Sequence, residues 1–308
     1  MNDKPALPIL AGVIGAVLGG LSFLFLKNVV SMTTPLNILS IRFTIAFLVI
    51  ALLVLSNAVK IQYYNKPILP LILFSTIHPV LAFLLQTYGM KYTTSSEAGV
   101  ITALVPIIVM ILASVLLKER TNITQKTSIL LSVGGVTYIT LMKGLETDGN
   151  LVGITLIVLS ALSMALYTVL IREIAKQFTA MEITFAMMGI GMVIFNILLF
   201  LSPERVDYSM LLNTSFLFSI LYLAIISSLL GAMLKNYAYA RMKASQAGVF
   251  MNLATIVSII AGVFILNEPF YSYHLIGSML IILGVVGVHL QRVNLKRFFK
   301  NKKKTKEK

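Results

Sequence analysis

Tyr88–Thr121, YGMKYTTSSEAGVITALVPIIVMILASVLLKERT, returns later in the chain as Tyr237–Phe270, YAYARMKASQAGVFMNLATIVSIIAGVFILNEPF. The two stretches align without a gap. Tyr88 and Tyr237 lie 149 residues apart, as do Glu119 and Glu268. Ser96-Glu97-Ala98-Gly99-Val100 falls over Ser245-Gln246-Ala247-Gly248-Val249, and the offset still holds for Gly135-Val136 over Gly284-Val285. Upstream, Gly12 and Ser22 match Gly153 and Ser163 at an offset of 141, so small insertions accumulated in the second half. The duplication runs the length of the chain.

Both copies are too apolar for an ordinary soluble domain. The 308 residues are 58% hydrophobic and 12% charged, with a mean hydropathy of +0.92. Crossing the hydrocarbon core takes a helix of roughly 20 apolar residues, because only a helix pairs its backbone groups within one segment. Such runs fall near 6–26, 36–56, 68–88, 96–117, 126–142, 151–171, 181–201, 214–234, 244–266 and 273–290. The fifth and tenth are the weakest. The first follows a single Lys4 and has no small-x-small cleavage site, which predicts a retained span and not a signal peptide. The predicted fold is all-α integral membrane, with ten transmembrane helices as two five-helix repeats, 1–144 and 145–290, and a basic tail, 291–308.

An odd number of spans per copy forces the copies to enter the bilayer in opposite directions. The repeat is then inverted, an architecture built around a site near the midplane that is exposed alternately to each side. Orientation follows from the positive-inside rule. Lys4, Lys60, Lys66, Lys118, Arg120, Lys126, Arg172, Lys176, Lys235, Arg241 and Lys243, eleven in all, fall on the side of the N-terminus. Lys27, Lys91, Lys143 and Arg205, only four, fall on the other. Both termini are therefore expected in the cytoplasm, with the chain multi-pass in the cell membrane. The tail from Arg292 to Lys308 adds nine more cations, as a topology anchor or as a contact with anionic headgroups. A net charge of +14 arranged this way is a membrane pattern and not a nucleic-acid footprint.

Several chemistries are excluded. With no cysteine there is no disulfide, thiolate metal site or cysteine nucleophile. His78, His274 and His289 are far apart and form no metal-ligand pair, so no metal or other cofactor is expected. There is no P-loop and no dinucleotide fingerprint. The absence of tryptophan removes a tryptophan-walled cage for quaternary amines, although twelve tyrosines leave a tyrosine version open. No paired carboxylates, serine dyad or histidine–carboxylate set at common depth supports an intramembrane enzyme. A channel or receptor of the same architecture is the other alternative to a carrier.

Two strings also resemble a known family, the EamA-type branch of the drug/metabolite transporter superfamily. They are Ser96-Glu97-Ala98-Gly99 through Pro106 to Leu117-Lys118-Glu119-Arg120, and Ser245-Gln246-Ala247-Gly248 through Leu266-Asn267-Glu268-Pro269. Each precedes a glycine-bearing span, with Gly134-Gly135 in the first half and Gly284 in the second, and Arg42 in the second span fits the same pattern. The resemblance covers essentially the whole chain. It implies a ten-helix inner-membrane carrier working by alternating access, often exporting amino acids or other metabolites, and it chooses no substrate.

Polar groups inside a span are costly and mark candidate sites. His78 stands near the middle of the third span, where Pro79 removes a backbone donor. At the repeat offset its counterparts are Ser227 and Ser228 on the eighth span, which predicts opposite walls of one cavity. The alternative is interhelical packing. An imidazole also titrates near neutral pH, so His78 is a candidate for proton coupling. Asn252, Thr102 and Tyr167 are mid-span hydrogen-bonding groups, as cavity lining or as helix glue. Gln86 and its counterpart Lys235 are candidate gates or interface markers. Arg42 lies six residues past Leu36, about 9 Å along the helix. Three roles fit it: a fork for a substrate carboxylate, a partner for Glu97, or a snorkelling cation. Glu182 reads as the start of the seventh span, Glu119 and Glu268 as structural ends, and Gly15 with Gly19 as a small-residue packing face.

Overall fold

The structure is a computed structural model that describes residues 6–30, 32–92, 101–102, 104–143, 151–203, 208–266 and 270–289. Among these, regular structure is entirely helical: α1 (Ala6–Val30), α2 (Pro35–Leu55), α3 (Ile68–Ser75), α4 (Ala82–Tyr92), α5 (Val105–Leu116), α6 (Ile123–Lys143), α7 (Leu151–Ile174), α8 (Ala180–Leu201), α9 (Thr214–Leu221), α10 (Gly231–Ala240), α11 (Ala244–Gly248), α12 (Phe250–Leu266) and α13 (Ser272–His289). A π-helical segment, Thr76–Leu81, joins α3 to α4, and a second, Tyr222–Leu230, joins α9 to α10. Six of the described helical runs are long and apolar enough to cross a membrane, and Val105–Leu116, Ala244–Val257 and Ser272–Val288 are shorter apolar helices.

The helices are apolar on their outer faces as well as their inner ones. Leu52, Leu55, Phe200, Leu201 and Phe264 are all well exposed. Such a surface suits hydrocarbon and not water. Inside, Phe43, Phe74, Phe195, Phe250, Tyr167 and Tyr239 belong to one buried cluster that draws on both halves of the sequence. The main helix pairings also cross the halves: α6 with α13, α4 with α7, α1 with α12 and α10, and α2 with α8. At the α6–α13 crossing, a Cβ on Gly135 would stand 2.6 Å from the Gly277 carbonyl oxygen, so glycine lets the two backbones touch.

The loops gather at two ends. At one, Glu182 caps α8 in a reciprocal box with Thr179, and its carboxylate also accepts from Lys66 Nζ (2.7 Å) and the Gln62 backbone N–H (3.0 Å). Tyr63 Oη donates to the Glu182 carbonyl at 2.7 Å. At the same end Glu119 accepts from the Ala244 backbone N–H (3.2 Å) and pairs with Arg172. Glu119 thus ties the end of α5 to the start of α11 and to α7 of the second half. At the opposite end, Asn28 donates to the hydroxyls of Ser215 and Ser219, and Val29, Ile38 and Phe216 pack together.

The structure moves several expected boundaries. The eighth run does not stop at residue 234: helix continues to Ala240, so Lys235 lies inside it and not in a loop. The ninth run is interrupted at Val249. Gly15 and Gly19 do not share a packing face. A Cβ on Gly15 would meet Lys235 Cγ at 2.9 Å, whereas Gly19 faces open space and Gly20 abuts α12. Glu97 and Glu268 lie outside the described residues.

Candidate functional site

The site is built on a break. Proline at 79 cannot donate, and His78 takes extended angles (φ −143°, ψ 122°) between α3 and α4. Two serines of α7 bind the backbone there: Ser163 Oγ donates to the Ile77 carbonyl at 2.5 Å and Ser160 Oγ to the Ala82 carbonyl at 2.8 Å. Buried carbonyls beside a helix break need such partners, and a hydroxyl one turn apart on a neighbouring helix supplies each. The other π-helical segment, Tyr222–Leu230, holds the positions 149 residues beyond the first. Both breaks sit inside long apolar runs.

Arg42 joins the halves. It is 4% exposed, and its Nε donates to Ser228 Oγ at 2.6 Å while Nη2 reaches Ser227 Oγ at 3.5 Å. The guanidinium carbon lies 4.9 Å from the centre of the Phe83 ring. His78, also buried, stacks on Tyr167 with ring centroids 4.3 Å apart and stands 5.4 Å from Phe83. Its Nδ1 is buried without a hydrogen-bond partner among the described residues. Tyr167 Oη donates to Asn236 Oδ1 at 2.7 Å, and Asn236 Nδ2 donates to Thr184 Oγ1 at 3.0 Å. That chain of bonds fixes α7, α10 and α8 around the imidazole. Lys235, next to Asn236, lies within charge–charge range of both His78 and Arg42.

The structure therefore brings His78, Tyr167, Arg42, Ser227 and Ser228 into one cluster, although it is Arg42 and not His78 that binds the serine pair. Asn252 lies elsewhere: its amide donates to Ser132 Oγ at 3.1 Å, between α12 and α6. Thr102 precedes α5, and Gln86 is half-buried on α4 one turn beyond Phe83. Mid-span depth alone does not say which face of a helix a polar group occupies. Asn236 escapes a sequence reading, and Lys235, a candidate gate as the counterpart of Gln86, is also counted among the loop cations because a lysine after an apolar run reads as a loop marker. The repeat offset from Gln86 is the signal that places Lys235 within the helix.

A cavity of about 1580 Å³ opens at the end where Glu119 and Glu182 lie. Lys118, Arg172, Lys176 and Arg241 line it together with Glu173, and its inner wall includes Met233, Leu234 and Tyr237, on the helix that carries Lys235. It does not itself contain His78, Arg42 or the serines.

An all-helical, lipid-suited bundle with a charged, broken-helix interior defines a multi-pass membrane protein. The model of the EamA-like transporter family matches residues 6–141 and again 151–290, so this chain belongs to that family and is a membrane transporter, not an enzyme. A Bacillus subtilis (strain 168) protein named uncharacterized transporter YcxC is 37% identical over 287 residues, spanning 91% of this chain and 92% of its own. An uncharacterized transporter of Archaeoglobus fulgidus is 28% identical over 269 residues, 86% of this chain and 92% of that one. A solved crystal structure at 17% identity shares the fold, with a TM-score of 0.76 over 92% of this chain and 98% of its own.

Proposed function

We propose that the chain is a secondary carrier of ten spans in two inverted five-helix halves, exporting a small polar or amphipathic metabolite across the cytoplasmic membrane by alternating access. Both termini lie in the cytoplasm. The observation that carries the reading is the Arg42 bridge from the first half to Ser227 and Ser228 at the break of the second. Such a link, to a π-helical segment that lies at the repeat offset from the His78 break, is a natural place for a solute to bind and for two packings to interconvert. The pairing of α4 with α7 and of α10 with α1, related by exchange of the halves, supports a two-fold relation between the repeats. His78, Tyr167, Arg42, Ser227 and Ser228 form the proposed binding site, with Gln86 at its margin. Thr102 and Asn252 stay outside it.

The basic cavity is the cytoplasmic vestibule in this reading, which makes the conformation inward-facing and ready to load for export. The test compares metabolites inside and outside cells with and without the protein, then follows any hit in proteoliposomes with and without a proton gradient. A carrier gives saturable flux and counterflow. Folded protein that moves no solute contradicts the proposal, and single-channel conductance would replace it with a channel.

A further inference from the structure

We infer that the solute recognised at this site is a small organic carboxylate, net negative, and neither a cation nor a zwitterion. The inference rests on the carrier reading and names its substrate class. Two cations come together inside the helical bundle: Arg42 binds Ser228, and Lys235 stands seven residues, about two turns, beyond Ser228 on the same helical run, within charge–charge range of Arg42. All three described carboxylates are paired near the loops: Glu119 with Arg172, Glu173 with Lys176, and Glu182 with Lys66. None reaches the interior pair. Among the described residues Arg42 is held by the hydroxyls of Ser227 and Ser228 and by the Phe83 and Phe43 rings, which orient the guanidinium, and no described carboxylate neutralises it. Lys235 has neither a hydrogen-bond nor an ion-pair partner among the described residues, and its stem is seated against Gly15.

Two uncompensated cations inside a membrane are expensive, and an anion placed between them offsets that cost. The same pair repels an ammonium group. A guanidinium presents a planar fork matched to a carboxylate, while an ammonium adds a point charge. His78, Tyr167 and Phe83 give the rest of the site a ring-lined, apolar wall, which fits an organic body in preference to a bare inorganic ion. The cavity that borders the helix of Lys235 carries Lys118 and Arg241 beside the Arg172–Glu119 and Lys176–Glu173 ion pairs, a net positive charge that draws anions to the entrance.

The experiment uses the full-length protein and three probes with one phenylalkyl body: 3-phenylpropionate, phenylalanine and 2-phenylethylamine. Thermal unfolding of the purified protein is followed against each probe, and glutarate is included as an aliphatic carboxylate. A carboxylate raises the Tm of the wild type in proportion to its binding, and the amine does not. Lys235→Met weakens carboxylate binding about tenfold or more, whereas Lys235→Arg retains most of it and the surface control Lys60→Gln retains all of it. Monodispersity of each variant separates lost binding from lost folding. The inference is overturned if neither carboxylate shifts the wild type more than Lys235→Met, or if the amine or the amino acid stabilises and the carboxylates do not. Flux of the same probes in proteoliposomes separates the two claims. A carboxylate that binds but does not cross supports the anion site and counts against the carrier; an amine that crosses supports the carrier and overturns the anion site.

Discussion

Arg42 on α2 donates through Nε to the Ser228 hydroxyl, 2.6 Å away and 186 residues along the chain, where the helix between α9 and α10 loses its regular hydrogen bonding. Among the described residues this buried cation meets hydroxyl oxygens and aromatic rings and no carboxylate, a poor source of stability, because the desolvation of its charge is not repaid by an opposite one. Its presence is easier to explain by function than by folding.

Arg42→Met therefore separates activity from stability. Serine hydroxyls released from Arg42 can turn back to a carbonyl of their own helix, so no buried donor is stranded. Transport should fall to background while Tm stays level or rises. Parallel loss of Tm and flux would show that Arg42 is a structural strut.

Ser163→Ala removes the donor from the Ile77 carbonyl at the His78 break. Leaving that buried acceptor unpaired costs about 1–3 kcal/mol, and the loss should appear as a lower Tm in the purified protein. Thr155, an exposed residue on the same helix that donates only to its own Leu151 carbonyl, is the control; Thr155→Ala should change Tm little. Equal Tm values for the two variants would mean that the break does not depend on α7.

Tyr63→Phe tests the clamp at the Glu182 end. Burial, together with the Glu182 carboxylate, pushes the Tyr63 phenol above its ordinary 10.0, so the fold favours the protonated form. That contribution is complete below pH 10 and is lost as pH rises beyond it, when the unfolded chain can ionise and the folded one resists. The wild type should lose stability faster than Tyr63→Phe in alkaline unfolding series, and the variant should be about 1 kcal/mol less stable near neutrality. Identical alkaline profiles would remove Tyr63 from the clamp.

The all-helical membrane class and the break were legible in the sequence, because both rest on local chemistry: apolar run length for the helices, six of which are long enough to span, and Pro79 for the break beside His78. Ser227 and Ser228 were reachable through the repeat offset, and Glu119 through its place at a helix end. Arg42's partners were not legible, since a contact across 186 residues depends on how two helices cross. Asn252 shows the opposite limit. It has the depth of a site residue, but its face points to Ser132. Lys235 was misplaced by the very rule that orients the chain, because a cation next to an apolar run marks a loop unless the helix has a polar interior to put it in.

The absence of cysteine makes one measurement direct. Ser227→Cys places a single thiol in the centre of the proposed pathway, and a small membrane-impermeant thiosulfonate can be added from either face of sealed vesicles. A carrier with its site between Arg42 and the second break predicts that the thiol is modified from both faces while the vesicles show no ion conductance. A thiol modified from neither face would contradict the account, since the cluster would then be helix packing and not a solute path.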